Sequence, residues 1–78
     1  MKVFADTFYW IALTNPRDNF HRRVLEFSRS LRPQAIVTTD EVLTELLTFC
    51  AADRQLRVEA ALVVNDVLAE EHVRLIPM

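Results

Sequence analysis

Not one of the 78 residues is glycine. Left-handed helix caps and two-residue hairpins lean on glycine's freedom at positive φ, so a chain without it has few ways to turn tightly. Its connections must use Asn, Asp, Thr and Pro, which suit helix starts better than hairpins. Antiparallel meanders are therefore disfavoured, and an alternation of strands with helices is expected.

In order, residues 2–5 read as a first strand, whose three apolar residues Val3, Phe4 and Ala5 end on Asp6. Residues 7–13 read as a short helix directly behind it. This puts Asp6 at the carboxyl end of a strand, where open α/β folds bind their ligands. Asn15-Pro16 then looks like a helix start, with Asn15 as N-cap, Pro16 at the first helical position and Asp18 in the first turn. From there Phe20, Val24, Phe27 and Leu31 make one apolar stripe, and Pro33 stops the helix. Residues 35–37 read as a second strand. Thr38 and Glu41 have the spacing of a capping box, so a third helix should open there and run to about Ala51. Asp53 should cap a fourth helix, whose apolar face is Leu56, Ala60, Val63, Val64, Val67 and Leu68 up to about Glu70. Residues 73–76 alternate around Arg74 and read as a third strand ending at Pro77.

The result is strand, helix pair, strand, helix pair, strand. That order implies an α/β fold, a short parallel sheet of three strands flanked by about four helices, joined by right-handed crossovers. The length allows one domain, spanning 1–78, of a size that buries a limited share of its surface. Because the chain stops at the end of its last strand, the fold is expected to be incomplete. A formal charge of −2 makes no case for nucleic acid as a partner, but leaves a local basic face open. The single cysteine, Cys50, cannot form an internal disulfide, and no Cys/His spacing resembles a zinc site. With no signal-peptide run and no apolar stretch of membrane-spanning length, a soluble, cytoplasmic protein is expected.

The third helix carries the second informative residue. On a helical wheel Val42, Leu43, Leu46, Leu47, Phe49 and Cys50 cover one arc, and Glu45 falls on its edge beside Phe49. A carboxylate there is either paired or coordinated near the core, or is a rim residue with its head in water. Other candidates have plainer readings. His21 lies among Arg17, Arg22, Arg23, Arg29 and Arg32, a phosphate-contacting face or a solvated one. His72 lacks a nucleophile or carboxylate partner at a recognisable spacing. Asp40 and Glu41 suit helix capping or support of Glu45; Asp53 suits a cap and Asp66 the surface. Cys50 is expected to be buried. Tyr9 and Trp10 follow Asp6 and suit the core, or contact with a base.

Val3-Phe4-Ala5-Asp6-Thr7 before an apolar helix, and Ile36-Val37-Thr38-Thr39 leading through Val42-Leu43 to Glu45-Leu46-Leu47, resemble the first two acidic motifs of PIN domains. The resemblance is closest to the VapC-type ribonuclease toxins of bacterial toxin–antitoxin modules. It implies a PIN-like α/β/α fold of which the chain represents the amino-terminal part, truncated relative to the family. It also implies RNA as substrate, Mg²⁺ or Mn²⁺ as cofactor and an antitoxin-like protein as partner. By resemblance Asp6 and Glu45 are catalytic metal ligands. Beside them, Thr7 is a candidate to orient a ligand or water, Asp40 and Glu41 are candidate supporting groups by their nearness to Glu45 in sequence, and Arg22 and Arg29 of the arginine-rich second helix are candidate RNA contacts. The family's later acidic motifs have no counterpart before Met78, so the site is expected to be incomplete and the chain alone weakly active or inactive.

Two function classes follow. One is a metal-dependent endoribonuclease; the other is a non-catalytic module that binds an antitoxin-like partner or its own copies. The missing strands should leave an exposed sheet edge, which favours a homo-oligomer.

Overall fold

A computed structural model of the chain describes residues 2–32, 35–69 and 73–77. The elements are β1 (Val3–Phe4), α1 (Thr7–Thr14), α2 (His21–Ser30), β2 (Ile36–Thr39), α3 (Asp40–Cys50), α4 (Arg54–Ala69) and β3 (Val73–Ile76). The three strands form a parallel sheet in the order β1-β2-β3. Val3 and Phe4 sit opposite Ile36 and Val37, and residues 36–39 run alongside 73–76 in step. The element order and the parallel sheet are those expected from the sequence.

One core joins α1, α3 and α4. Trp10 and Ile11 come from α1, Val42, Leu43, Leu46 and Cys50 from α3, and Ala60 and Val67 from α4, with Ala5 at the end of β1. The α3 contribution is a single stripe at helical spacing, narrower than the wheel implied. Leu47 is exposed and Phe49 is 60% exposed, so neither belongs to the buried arc. Leu68 of α4 is likewise exposed, while Leu56, Val63 and Val64 pack partly buried against the core.

Helix α2 differs most from expectation. It starts at His21, five residues after Pro16, and buries no side chain completely. Asn15 and Asp18 do not cap it: their carboxamide and carboxylate oxygens accept from the Arg17 and Phe20 amides, closing local turns over residues 15–20. Phe20 becomes an N-cap without a side-chain cap bond. Of the expected stripe, Val24 and Leu31 are half-buried, whereas Phe20 and Phe27 are exposed. Pro33 lies outside the described residues, as do Glu70 and His72.

The cap of α3 is displaced by one residue. Thr39, not Thr38, accepts from the Val42 amide, at 3.1 Å. Asp53 caps α4 as expected, accepting from the Leu56 amide at 3.0 Å. That bond, with a further one from Gln55 and the Arg17 guanidinium 3.6 Å away, holds the Asp53 carboxyl below its usual value against a smaller opposing effect of desolvation. The folded-state value being the lower one, this contribution to stability is fully present above the unfolded-state value near 4 and is lost as pH falls through the folded-state value. Asp53→Asn is therefore expected to flatten the fall in urea midpoint below about pH 4 while keeping an N-cap acceptor. An unchanged acid limb in that titration would contradict this role.

Candidate metal-binding site

Asp6 leaves the sheet at the end of β1 and enters α1 as its N-cap, with φ −83° and ψ −177°. Its Oδ1 accepts from the Tyr9 amide at 3.0 Å, which satisfies one of the donors that the first turn leaves without a helical partner. The side chain is exposed at the carboxyl end of the sheet, the place where parallel α/β sheets bind ligands.

Glu45 comes from the second turn of α3. Its neighbours Val42, Leu43 and Leu46 are drawn into the core, which leaves Glu45 on the outward flank, exposed rather than carried inward. Of the two sequence readings, the rim position is the one observed. What connects it to the first carboxylate is Thr7, the first residue of α1, whose hydroxyl donates to Glu45 Oε2 at 3.2 Å across 38 residues of chain. One hydrogen bond thus ties the helix that follows Asp6 to the helix that carries Glu45. Beside it is a surface depression of about 380 Å³ lined by Thr7, Glu41, Thr44, Glu45, Thr48 and Phe49.

The remaining candidates are distributed as follows. Glu41 shares the depression with Glu45, one turn earlier on the same face. Asp40 is exposed at the start of α3, where its carboxylate suits the positive helix end, and its backbone carbonyl accepts from Thr44. Arg22 pairs with Glu26 at 3.6 Å and Arg29 is exposed, both on α2, which packs against α1. His21 meets the Ala12 carbonyl through Nδ1 at 2.7 Å. Trp10 is only 2% exposed and belongs to the core, so it is no base platform, and Tyr9 is half-buried with its hydroxyl hydrogen-bonded to Ser28. Cys50 is buried as expected; burial, and then the nearby Asp53 charge, push its thiol up, which keeps it protonated and unreactive.

The donor set suits a hard divalent cation. Asp6, Glu45 and the Thr7 hydroxyl offer oxygen only, and Mg²⁺ is commonly held by one or two carboxylates with water and substrate phosphates completing its shell. Among the described residues, no group of three or more His, Cys, Asp or Glu side chains is placed to hold a metal together.

Sequence reasoning missed one feature here. The Trp10 indole N–H donates to Thr38 Oγ1 at 3.1 Å, and that hydroxyl donates to the Ala5 carbonyl at 2.9 Å, all of it buried. A threonine at the second-last position of a strand, facing the core side, was the available signal.

Among the described residues, three parallel strands and four helices form an α/β fold that matches the VapC PIN-like fold. A solved structure, the toxin VapC20 of Mycobacterium tuberculosis, described as cleaving the Sarcin-Ricin loop, superposes with a TM-score of 0.77 at 27% identity. The match covers 95% of this chain and 55% of that one, so the chain spans about half the length of its structural neighbour. No protein-family model matches the chain, and no curated protein does. The resemblance read from the two acidic motifs agrees with this structural likeness.

Proposed function

We propose that the chain provides the first two metal-binding carboxylates, Asp6 and Glu45, of a PIN-type endoribonuclease that hydrolyses RNA with Mg²⁺ or Mn²⁺. The observation that carries this reading is the Thr7–Glu45 hydrogen bond, which links the two acidic elements at the carboxyl end of the sheet. When bound, the cation supplies Lewis-acid stabilisation of charge developing on the phosphoryl oxygens. The chain's own work is positional. The Tyr9 amide restrains Asp6 through Oδ1, and the Thr7 hydroxyl restrains Glu45 through Oε2, so less rotational freedom is lost when a cation is taken up.

Calorimetric titration with Mn²⁺, run beside an RNA cleavage assay, tests the proposal: heat of binding is expected in the wild type, and its absence would count against it. Thr7→Val keeps the shape and removes the hydroxyl. It is expected to weaken Mn²⁺ binding roughly 10- to 100-fold, the usual cost of losing a group that orients a ligand. An affinity equal to wild type would show that Thr7 does not orient Glu45.

A second reading is a partner-binding module, favoured by two surface features. Between α1 and α2 lies an apolar groove of about 590 Å³ whose walls include Phe8, Phe20, Val24 and Phe27, with Phe8 80% exposed. Exposed aromatic surface of this kind suits an amphipathic segment of an antitoxin-like protein. Within the described residues β1 is also an edge strand, with Phe4 exposed, which suits self-association. A module that only binds protein has no reason to take up Mn²⁺ at Asp6, so the same titration separates the two readings.

A further inference from the structure

The buried chain of hydrogen bonds behind Asp6 has a destination that core packing does not require. A buried indole N–H needs an acceptor, and many would serve. Here it donates to Thr38 Oγ1 on β2, and the same hydroxyl donates in turn to the Ala5 carbonyl. That carbonyl belongs to the peptide unit leading into Asp6. The next carbonyl, that of Asp6 itself, accepts from the Trp10 amide at 3.4 Å. Trp10 thus holds both peptide units that flank the Asp6 Cα, one through its backbone and the other through Thr38. Meanwhile the Ala5 amide extends the β1–β2 ladder onto the Val37 carbonyl at 2.7 Å. Thr38 is fully buried at 0% exposure, so no water competes for either of its bonds.

We infer that Thr38 is a positioning residue: held by the Trp10 indole, its hydroxyl clamps the Ala5 carbonyl and so sets the direction in which Asp6 presents its carboxylate. The inference deepens the metal-site reading and rests on it for its functional meaning; the clamp itself is a statement about backbone geometry. With the unit before Asp6 held through the Ala5 carbonyl by Thr38, and the unit after it held through the Asp6 carbonyl by the Trp10 amide, the backbone at Asp6 has little freedom to rotate. The side chain that follows inherits that restriction. Thr38 acts through Asp6 and needs no contact with substrate or cation.

Three variants of the chain, read by nuclear magnetic resonance, test it. Thr38→Val keeps the shape and deletes both hydroxyl bonds. Trp10→Phe deletes the indole donor together with part of the ring that packs in the core, and Thr38→Ser keeps the hydroxyl. The readouts are the exchange rate of the Tyr9 amide, which bonds Asp6 Oδ1, relative to that of the Leu46 amide in the core, the carbon shift of the Asp6 carboxylate, and Mn²⁺ affinity. Thr38→Val is expected to speed Tyr9 exchange roughly fivefold relative to Leu46, as for the loss of a helix cap, to move the Asp6 carboxylate shift, and to weaken Mn²⁺ binding roughly tenfold or more. Trp10→Phe should give smaller changes of the same sign, and Thr38→Ser should restore wild-type values. A purely structural role would destabilise the core and leave the Tyr9-to-Leu46 ratio and the carboxylate shift unmoved, which would overturn the inference. Failure of Thr38→Ser to restore them would do the same. If Thr38→Val does not fold, Trp10→Phe decides by the same readouts. If the wild type takes up no Mn²⁺ but Tyr9 and Asp6 respond to Thr38→Val, the metal reading falls and the clamp stands.

Discussion

Asp6→Asn is expected to reduce Mn²⁺ uptake, and any RNA cleavage that depends on it, by at least about a hundredfold. A group that merely orients a ligand contributes roughly 10- to 100-fold, and Asp6 is proposed as a ligand itself. The substitution is chosen because asparagine caps a helix about as well as aspartate, so the bond from the Tyr9 amide survives and the fold is not the variable. What changes is the charge and the hardness of one oxygen donor. Glu45→Gln is the matching change on α3. Its amide oxygen still accepts from the Thr7 hydroxyl, so the tie between the helices persists while the carboxylate is removed. Both variants should melt like the wild type and lose metal. Cleavage or metal uptake indifferent to both substitutions would sink the ribonuclease reading.

Leu46→Ala should produce the largest loss of stability among single core truncations on α3. Leu46 is completely buried, at 0% exposure, where α1, α3 and α4 meet. Removing a buried leucine side chain costs about 2–5 kcal/mol, the transfer term plus the cavity left behind. For a domain of this size each kcal/mol lowers Tm by roughly 4–8 °C, so a drop of at least about 8 °C is expected. The adjacent Leu47 is exposed, and Leu47→Ala should stay within about 1 kcal/mol of wild type. The contrast between neighbours reads the rotation of α3 about its own axis. That rotation is also what points Glu45 outward, so equal costs at the two positions would undermine the placement of the site as well as that of the core.

The order of elements was legible because its signals are local. An apolar run ending on a carboxylate, a β-branched run behind a proline and an alternating run around Arg74 each identify a strand without reference to the rest of the chain. Asp53 was found as a cap for the same reason. Local signals mislead where a side chain has two local uses or a distant one. Asn15 and Asp18 have the chemistry of helix caps, but their oxygens closed turns on the Arg17 and Phe20 amides instead. Thr38 and Thr39 are equally good caps by composition; Thr38 is withdrawn from that role by Trp10, 28 residues away. Phe49 falls in the apolar arc on a helical wheel yet is exposed, because a wheel carries no information on which part of the arc the neighbouring elements cover. Of the candidate site, the strand-end position of Asp6 could be read directly. The approach of Thr7 to Glu45 could not, since it depends on how α1 and α3 pack.

The helix ends show what a glycine-free sequence does to the unfolded chain. The residue after α1, Asn15, is extended at φ −100° and ψ 106°, the one after α2, Leu31, at φ −84° and ψ 148°, and the one after α3, Ala51, remains right-handed at φ −64° and ψ −30°. None of these exits asks for a positive φ, so a side chain sits at each without strain. Every such position is correspondingly restricted before folding begins. A Cβ where glycine is not needed favours the native state by about 0.4–1 kcal/mol, chiefly by narrowing the ensemble it competes with. In a domain whose α2 buries no side chain completely, part of the stability thus comes from limits on the denatured state, where no native contact would reveal it.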